Sequence, residues 1–150
     1  MTKKEKIIHF MEQEIPFNRY LGMKIETIEE GISIIRLPWK EEFIGDPYRR
    51  AVHGGVLSTL IDTCGGSACW MMLKETDSRL STVDLRIDYL RKGPCEDLVC
   101  RADVVRMGNR VAVARMEVYA ANDPDRNVIA TGQGVYNVAK NVRYDAETIR

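Results

Sequence analysis

The stretch VHGGVLSTLIDTCGGSACWMM, residues 52–72, decides how this chain folds. From residue 56 onward its apolar side chains recur with a helical period for more than four turns. These apolar positions are Val56, Leu57, Leu60, Ile61, Cys64, Ala68, Cys69 and Met72. They cover much of the helix circumference, and residues 65–68 are the small run Gly-Gly-Ser-Ala. We therefore expect one long, buried helix with another backbone lying close against it.

Strand patterns flank this helix on both sides. Before it, the apolar runs 25–28 and 32–37 are separated by the turn Glu29-Glu30-Gly31, which predicts a hairpin. After it, apolar and polar residues alternate with period two, as in strands that bury one face. The first of these segments is expected to turn one face inward, with Val83, Leu85, Ile87 and Tyr89. The others are residues 100–104, 111–119 and 128–138.

Shorter segments complete the pattern. Helical spacing is found at Ile7, Ile8 and Met11. A short amphipathic helix is therefore expected within residues 1–15, whereas residues 40–55 read as a loop and residues 139–150 as a tail. The sum is a single domain over residues 1–150 with an α+β fold, in which one long central helix is wrapped by a highly curved antiparallel sheet of about five to six strands.

Composition excludes several classes of function. The 150 residues include 22 basic and 22 acidic side chains, so no overall charge attracts the chain to nucleic acid. No signal peptide and no run of about 18 apolar residues is seen, so we expect a cytoplasmic protein outside the membrane. Four residues separate the cysteines within each close pair, which does not fit a zinc or redox motif and predicts reduced thiols and no metal. The pairs are Cys64 with Cys69 and Cys95 with Cys100.

Two glycines open the long helix. Gly54 and Gly55 leave backbone N–H groups uncovered by side chains at the positive end of the helix dipole. A carbonyl oxygen can be polarised by such groups. The alternative is that the glycines only allow a tight junction between loop and helix.

Asp62 interrupts the apolar pattern in the middle of the helix. A carboxylate there has to be paired, hydrogen-bonded or functional, and a general base or nucleophile is the functional interpretation. Gly54 and Asp62 are eight positions apart, or about 12 Å along a helix, so both cannot touch one carbonyl group. Two antiparallel copies of the helix across a two-fold axis would bring Gly54 of one near Asp62 of the other, which predicts a catalytic dimer.

These residues carry a resemblance to a known family. The sequence His-Gly-Gly at residues 53–55, Asp62 in the following helix, and STVDLRIDYLR at residues 81–91 together resemble the hotdog-fold acyl-CoA thioesterases of the PaaI-like group. The resemblance covers roughly residues 16–138. It implies a long helix wrapped by an antiparallel sheet, and hydrolysis of an acyl-CoA thioester to the free acid and coenzyme A.

The resemblance also implies roles for single residues. Gly54, helped by Gly55, would contact the thioester carbonyl oxygen, and Asp62 of the partner subunit would act as general base or nucleophile. Thr82 lies where the family often places a hydroxyl that orients the attacking water. Many members of the family have an asparagine where this chain has Asp46. The acid replaces an amide donor with an acceptor. His53 usually fixes the loop in this family and is expected beside the substrate.

Further expectations concern the substrate. Arg91, Lys92 and Arg110 are candidates to bind the phosphates of coenzyme A. Several large apolar residues could shape an acyl pocket or fill the core, namely Trp39, Phe43, Trp70, Met71 and Met72. No cofactor is expected beyond the coenzyme A of the substrate, and the chain is expected to form a homodimer and a dimer of dimers.

Two other functions stay open from the sequence. One is a non-catalytic acyl-CoA sensor or scaffold that retains the fold without turnover. The other is a hotdog enoyl-CoA hydratase or dehydratase, which would need a histidine placed beside an acid, and the chain has only His9 and His53.

Overall fold

A computed structural model describes residues 1–74 and 78–140 of the chain. The predicted central helix is present as α3, Gly54–Met72. The part of the predicted tail at residues 141–150 lies outside the described residues. None of the helices in the described ranges is long and apolar enough to cross a membrane.

One antiparallel sheet of six strands packs against α3, which confirms the predicted α+β architecture. In chain order its strands are β1 (Lys24–Glu29), β2 (Ile32–Leu37), β5 (Arg79–Tyr89), β6 (Leu98–Met107), β7 (Val111–Ala120) and β8 (Ala130–Ala139). Their order across the sheet is β1-β2-β6-β7-β8-β5. Thus β5 pairs with β8 and forms one edge of the sheet, although β6 follows it in the chain.

The expected loop at residues 40–55 contains more structure than predicted. A 3₁₀ turn at Glu41–Phe43 leads into a small hairpin of β3 (Ile44–Asp46) and β4 (Ala51–Val52). The backbone N–H of His53 donates to the Phe43 carbonyl at 2.8 Å, so the hairpin fixes the residue that precedes α3. These segments are too short for an alternation of polar and apolar residues to indicate strands.

The N-terminal segment forms two helices and not one. Helix α1 (Lys3–His9) continues as a π-helical turn at Phe10–Glu14, and a second helix, α2, spans Pro16–Leu21. Proline suits the first position of a helix, and Gly22 ends α2 with a φ of 78°. The proline at the start and the glycine at the end are the sequence features that indicate α2.

The core lies between α3 and the sheet. Leu60, Ile61 and Cys64 are completely buried on the inner side of the helix. The close approach expected at the small run comes from side chains and not from a backbone, because Tyr136 and Met116 fill the space above Gly65. A methyl group on Gly65 would overlap the Tyr136 hydroxyl and lie 2.8 Å from the Met116 sulfur.

The two adjacent helix glycines are predicted to respond differently to alanine. Gly65→Ala should lower the free energy of unfolding by about 1–3 kcal/mol, because the added methyl overpacks the core. In Gly66→Ala the methyl meets the Tyr136 ring at an ordinary 3.6 Å. That variant should gain up to about 1 kcal/mol from helix propensity. Urea denaturation of both variants measures the difference, and equal effects would contradict the packing at Gly65.

Candidate active site

Asp62 lies half-buried on α3 and faces a cavity of about 1080 Å³. The Thr82 hydroxyl donates a hydrogen bond to Asp62 Oδ1 at 2.8 Å. The backbone carbonyl of Asp62 accepts another from the Tyr136 hydroxyl at 3.1 Å. The carboxylate is therefore oriented through Oδ1, and no donor within residues 1–74 and 78–140 bonds to Oδ2, which can accept from a water molecule or substrate.

A β-bulge brings Thr82 to Asp62. The pairing of β5 with β8 shifts register between Thr82 and Asp84, so Val83 is the additional residue and 65% of it is exposed. In a regular strand Thr82 and Leu85 would face opposite sides of the sheet, because side chains alternate. With the bulge, Thr82 reaches Asp62 while Leu85 still packs on the core.

This bulge corrects the predicted face of β5. Leu85 and Ile87 pack against the core and Tyr89 contacts the start of α3, as the alternation indicated. The expectation that Val83 lies on the same face is wrong, because the bulge adds one residue and interrupts the alternation. Sequence alternation alone does not reveal where a strand takes an additional residue.

The start of α3 presents one free donor. His53 caps the helix, and its Nδ1 accepts from the Gly55 N–H at 2.8 Å, so the expectation of a free N–H at Gly55 is wrong. Within the described ranges the Gly54 N–H has no hydrogen-bond acceptor. Because His53 accepts at Nδ1, that nitrogen carries no proton in this arrangement.

Two residues that the sequence interpretation did not assign hold the first peptide of α3. The Tyr89 hydroxyl donates to the Gly54 carbonyl at 3.2 Å, and the Ser58 hydroxyl donates to the same oxygen at 3.0 Å. The signal for Tyr89 was a tyrosine at the end of an otherwise aliphatic strand face, where the ring is apolar and the hydroxyl needs a partner.

Asp46 lies in the β3–β4 hairpin, where it stabilises the turn. Its carboxylate accepts from the backbone N–H groups of Tyr48 and Arg49, at 3.0 and 3.1 Å. The Arg49 side chain also donates to it, at 2.6 Å, and this contact lowers the pKa of the Asp46 carboxyl. Both carboxylate oxygens have partners within the hairpin, and the predicted catalytic contribution of Asp46 stays a prediction.

The candidate phosphate-binding residues separate into two places. Arg91 and Lys92 are exposed at the end of β5 that contacts Gly54, and Lys92 donates to the Arg49 carbonyl at 3.0 Å. The Arg91 N–H bonds to Ile129, just before β8, whereas the Arg110 carbonyl bonds to Val138 near its end. Nine residues of extended chain are about 30 Å, so one copy of the chain does not bring Arg110 to the other two.

The residues predicted to shape an acyl pocket also separate. Trp70 lines the cavity beside Asp62. Trp39 and Phe43 instead pack edge to face with each other, with ring centroids 6.2 Å apart, and Phe43 is buried in the core. In the described ranges no group of three or more potential metal ligands is found.

Comparisons with known proteins address the family. A sequence model of the thioesterase superfamily matches residues 50–126, a range that includes both Gly54 and Asp62. The chain is also similar to the medium/long-chain acyl-CoA thioesterase YigI of Escherichia coli (strain K12), with 32% identity over 136 residues, or 83% of this chain and 86% of YigI. The chain belongs to the thioesterase superfamily. It is therefore a thioester hydrolase.

Solved structures of thioesterase-superfamily proteins confirm the hotdog fold. A related protein from Shewanella oneidensis has a TM-score of 0.78 and 29% identity, covering 90% of this chain and 94% of that one. A thioesterase family protein from Silicibacter pomeroyi has a TM-score of 0.81, covering 89% and 96%, and its 24% identity makes this a likeness of fold.

The bond between Thr82 and Asp62 can be tested with two substitutions. Thr82→Val keeps the shape of the side chain but removes the donor, and should lower kcat for thioester hydrolysis about tenfold or more, the value of a hydrogen bond to a charged group. Thr82→Ser keeps the donor and should retain most activity. Thiol release measures both, and an equal loss in the two variants would show that the hydroxyl does not orient Asp62.

His53 is predicted to act as a helix cap. His53→Ala should lower the free energy of unfolding by about 1 kcal/mol, because the Gly55 N–H loses its acceptor, whereas His53→Asn supplies another good cap. Urea denaturation checks the stability, and thiol release checks that His53→Asn still hydrolyses thioesters. Loss of hydrolysis in a stable His53→Asn protein would instead assign chemistry to the imidazole.

Proposed function

We propose that this thioesterase hydrolyses acyl-CoA at a site shared by two copies of the chain. The observation that carries the proposal is the separation of the two chemical groups. Asp62, held by Thr82, and the free N–H of Gly54 lie on one helix, eight residues or about 12 Å apart. An attacking water and a carbonyl oxygen need contacts near 3 Å, so one copy does not supply both.

The edge strand β5 supports this pairing. It has 11 residues, pairs with β8 on one side, and has no strand on its other side within the described ranges. A long unpaired edge favours addition of another strand. Two β5 strands paired antiparallel across a two-fold axis would join the sheets of two copies and lay their α3 helices side by side.

The contacts along β5 fit such an axis. Thr82 touches Asp62, and Tyr89 touches Gly54. If the axis passes through Arg86, the bulged residues 82–83 of one copy lie opposite the partner subunit's Tyr89, because antiparallel register pairs residues symmetrically about the axis. The same register would bring Asp62 toward Gly54 of the partner subunit.

The reaction then follows from the groups present. Asp62 takes a proton from water as the water oxygen attacks the thioester carbon, and the carbonyl electrons move onto oxygen. That oxygen accepts a hydrogen bond from the partner's Gly54 N–H at the positive end of a helix. Collapse of the intermediate breaks the carbon–sulfur bond, and the thiolate of coenzyme A takes up the proton while the free acid leaves.

The substrate is proposed as a medium- or long-chain acyl-CoA, by similarity to YigI, which is a medium/long-chain acyl-CoA thioesterase. Coenzyme A enters as part of this substrate and no further cofactor takes part. Arg91 and Lys92 are exposed beside the Gly54 end of the site, where they can bind phosphates. We further propose that the protein belongs to the PaaI-like subgroup and forms a dimer of dimers. We also propose a cytoplasmic location, which the four free thiols fit, because the cytoplasm is a reducing compartment.

Mixing two inactive variants tests the shared site. Asp62→Asn removes the base, and Gly54→Val covers the N–H donor, so each should lose at least about a hundredfold in kcat. Co-expressed with different tags, the two chains form mixed dimers with one intact site, and random pairing should restore about a quarter of wild-type activity. Thiol release from octanoyl-CoA measures this recovery.

Two controls separate the explanations. Sedimentation of the wild-type protein establishes whether dimers exist at the assay concentration. Binding of octanoyl-CoA to Asp62→Asn should remain close to that of the wild type, because the base is not required for affinity. Recovery of no activity in proven mixed dimers would place the whole site in one chain, and unchanged hydrolysis by Asp62→Asn would remove Asp62 as the base.

A further inference from the structure

The cavity at Asp62 is closed by a part of the chain outside the matched family region. Its volume is about 1080 Å³, and it lies between α3 and the N-terminal helices, with β5 and β8 at its side. The residues contributed by the N-terminal segment fall within positions 1–18, whereas the superfamily match begins at residue 50. Ile7, Phe10 and Ile15 give this wall an apolar part, and polar or charged side chains such as Lys6, Glu14 and Asn18 complete it.

Along α3 the cavity is a straight path. Asp62, Gly66 and Trp70 all line it, and residues four apart lie on one face of a helix. Gly66 in the middle has no side chain, so the path there is bordered by the Tyr136 ring and Leu80, which a Cβ on Gly66 would meet at 3.6 and 4.0 Å. From Asp62 to Trp70 the path covers eight residues, about 12 Å.

An aromatic pair closes the far end of this path. Phe10, at the start of the π-helical turn, meets Trp70 edge to face, with ring centroids 4.9 Å apart and the planes at 86°. Both residues line the cavity. The path therefore has a carboxylate at one end and a hydrocarbon wall at the other.

The N-terminal wall is held in place at three points. Lys3 Nζ donates to the Met71 carbonyl at the end of α3, at 2.6 Å. Glu12 accepts from the Ile25 N–H of β1 at 2.8 Å. The buried Asn18 side chain donates to the Met11 carbonyl at 3.0 Å and ties α2 to the π-helical turn. The wall of the cavity is thus anchored by the protein's own contacts, as is usual for small-molecule sites.

We propose that this cavity is the pocket for a straight aliphatic acyl chain and that Phe10 and Trp70 set the upper limit of its length. The proposal rests on the proposed function, since it places the thioester carbonyl beside Asp62. The chain then runs over Gly66 toward Trp70 and buries its methylene groups against the N-terminal wall. An extended chain reaching about 12 Å fits, and a longer one meets the aromatic pair.

The chain offers a matched set of variants. Trp70→Leu opens the end of the path, and Trp39→Leu makes the same change at a tryptophan that pairs with Phe43 away from the cavity. Gly66→Leu fills the middle of the path, and Gly66→Ala is the milder substitution, with its methyl at ordinary contact distance. Circular dichroism and thermal melting confirm that each variant is folded.

The readout is kcat/KM for butyryl-, octanoyl- and palmitoyl-CoA. Wild-type protein should prefer octanoyl-CoA to both others. Trp70→Leu should raise the palmitoyl-to-octanoyl ratio at least about tenfold, the usual discrimination for misfitting methylenes in an apolar pocket. Gly66→Leu should lower kcat/KM for octanoyl-CoA by a similar factor and lower kcat/KM for butyryl-CoA by a smaller factor, and Gly66→Ala should lower kcat/KM for octanoyl-CoA less than Gly66→Leu does.

Several outcomes would overturn this inference. One is that Trp70→Leu and Gly66→Leu each lower kcat/KM for all three substrates by one common factor. Another is that Trp39→Leu shifts the ratio as much as Trp70→Leu does. A third is that Gly66→Leu changes the sedimentation of the dimer, which would show that a second copy fills the cavity. If the wild-type protein hydrolyses none of the three substrates, the proposed function fails, which is distinguishable from each of these results.

Discussion

Burial of α3 against the curved sheet is the constraint on which the rest of this structure depends. Leu60, Ile61 and Cys64 are inaccessible to solvent, and the Tyr136 ring occupies the space that a side chain at position 65 would need. A helix packed this closely holds its residues in fixed positions. Asp62 takes its place from that packing, because the Tyr136 hydroxyl that lies over Gly65 also binds the Asp62 carbonyl.

The same helix separates the two groups that the chemistry needs. Its N-terminus presents the Gly54 N–H, and Asp62 lies about two turns later and faces the cavity. Strand β5 contacts both groups. The Tyr89 hydroxyl bonds to the Gly54 carbonyl, and the Thr82 hydroxyl bonds to the Asp62 carboxylate. An edge strand that touches both halves of a site is suited to join them across a two-fold axis, so assembly and catalysis would depend on one strand.

The N-terminal helices lie outside the superfamily match, and they form one wall of the cavity at Asp62. Without residues 1–18 the groove along Asp62, Gly66 and Trp70 would be open to solvent on that side. Three separate anchors hold the helices over it, on α3, on β1 and within the segment itself. Under the proposed function, the chemistry of the site and the length of its substrate would be set by different parts of the chain.

Local patterns in the sequence determined the central helix, most strands and the positions of Gly54 and Asp62, because helical and strand periods are properties of neighbouring residues, whereas Thr82 was expected from the family resemblance. Pro16 and Gly22 together also indicate α2, which the helical period alone does not predict. Tertiary structure alone decided the contacts between distant residues. The bulge at Val83 turns Thr82 toward Asp62, His53 occupies the Gly55 N–H, and the pairing of β5 with β8 separates Arg110 from Arg91. Each depends on register and side-chain direction in space, which no local period encodes.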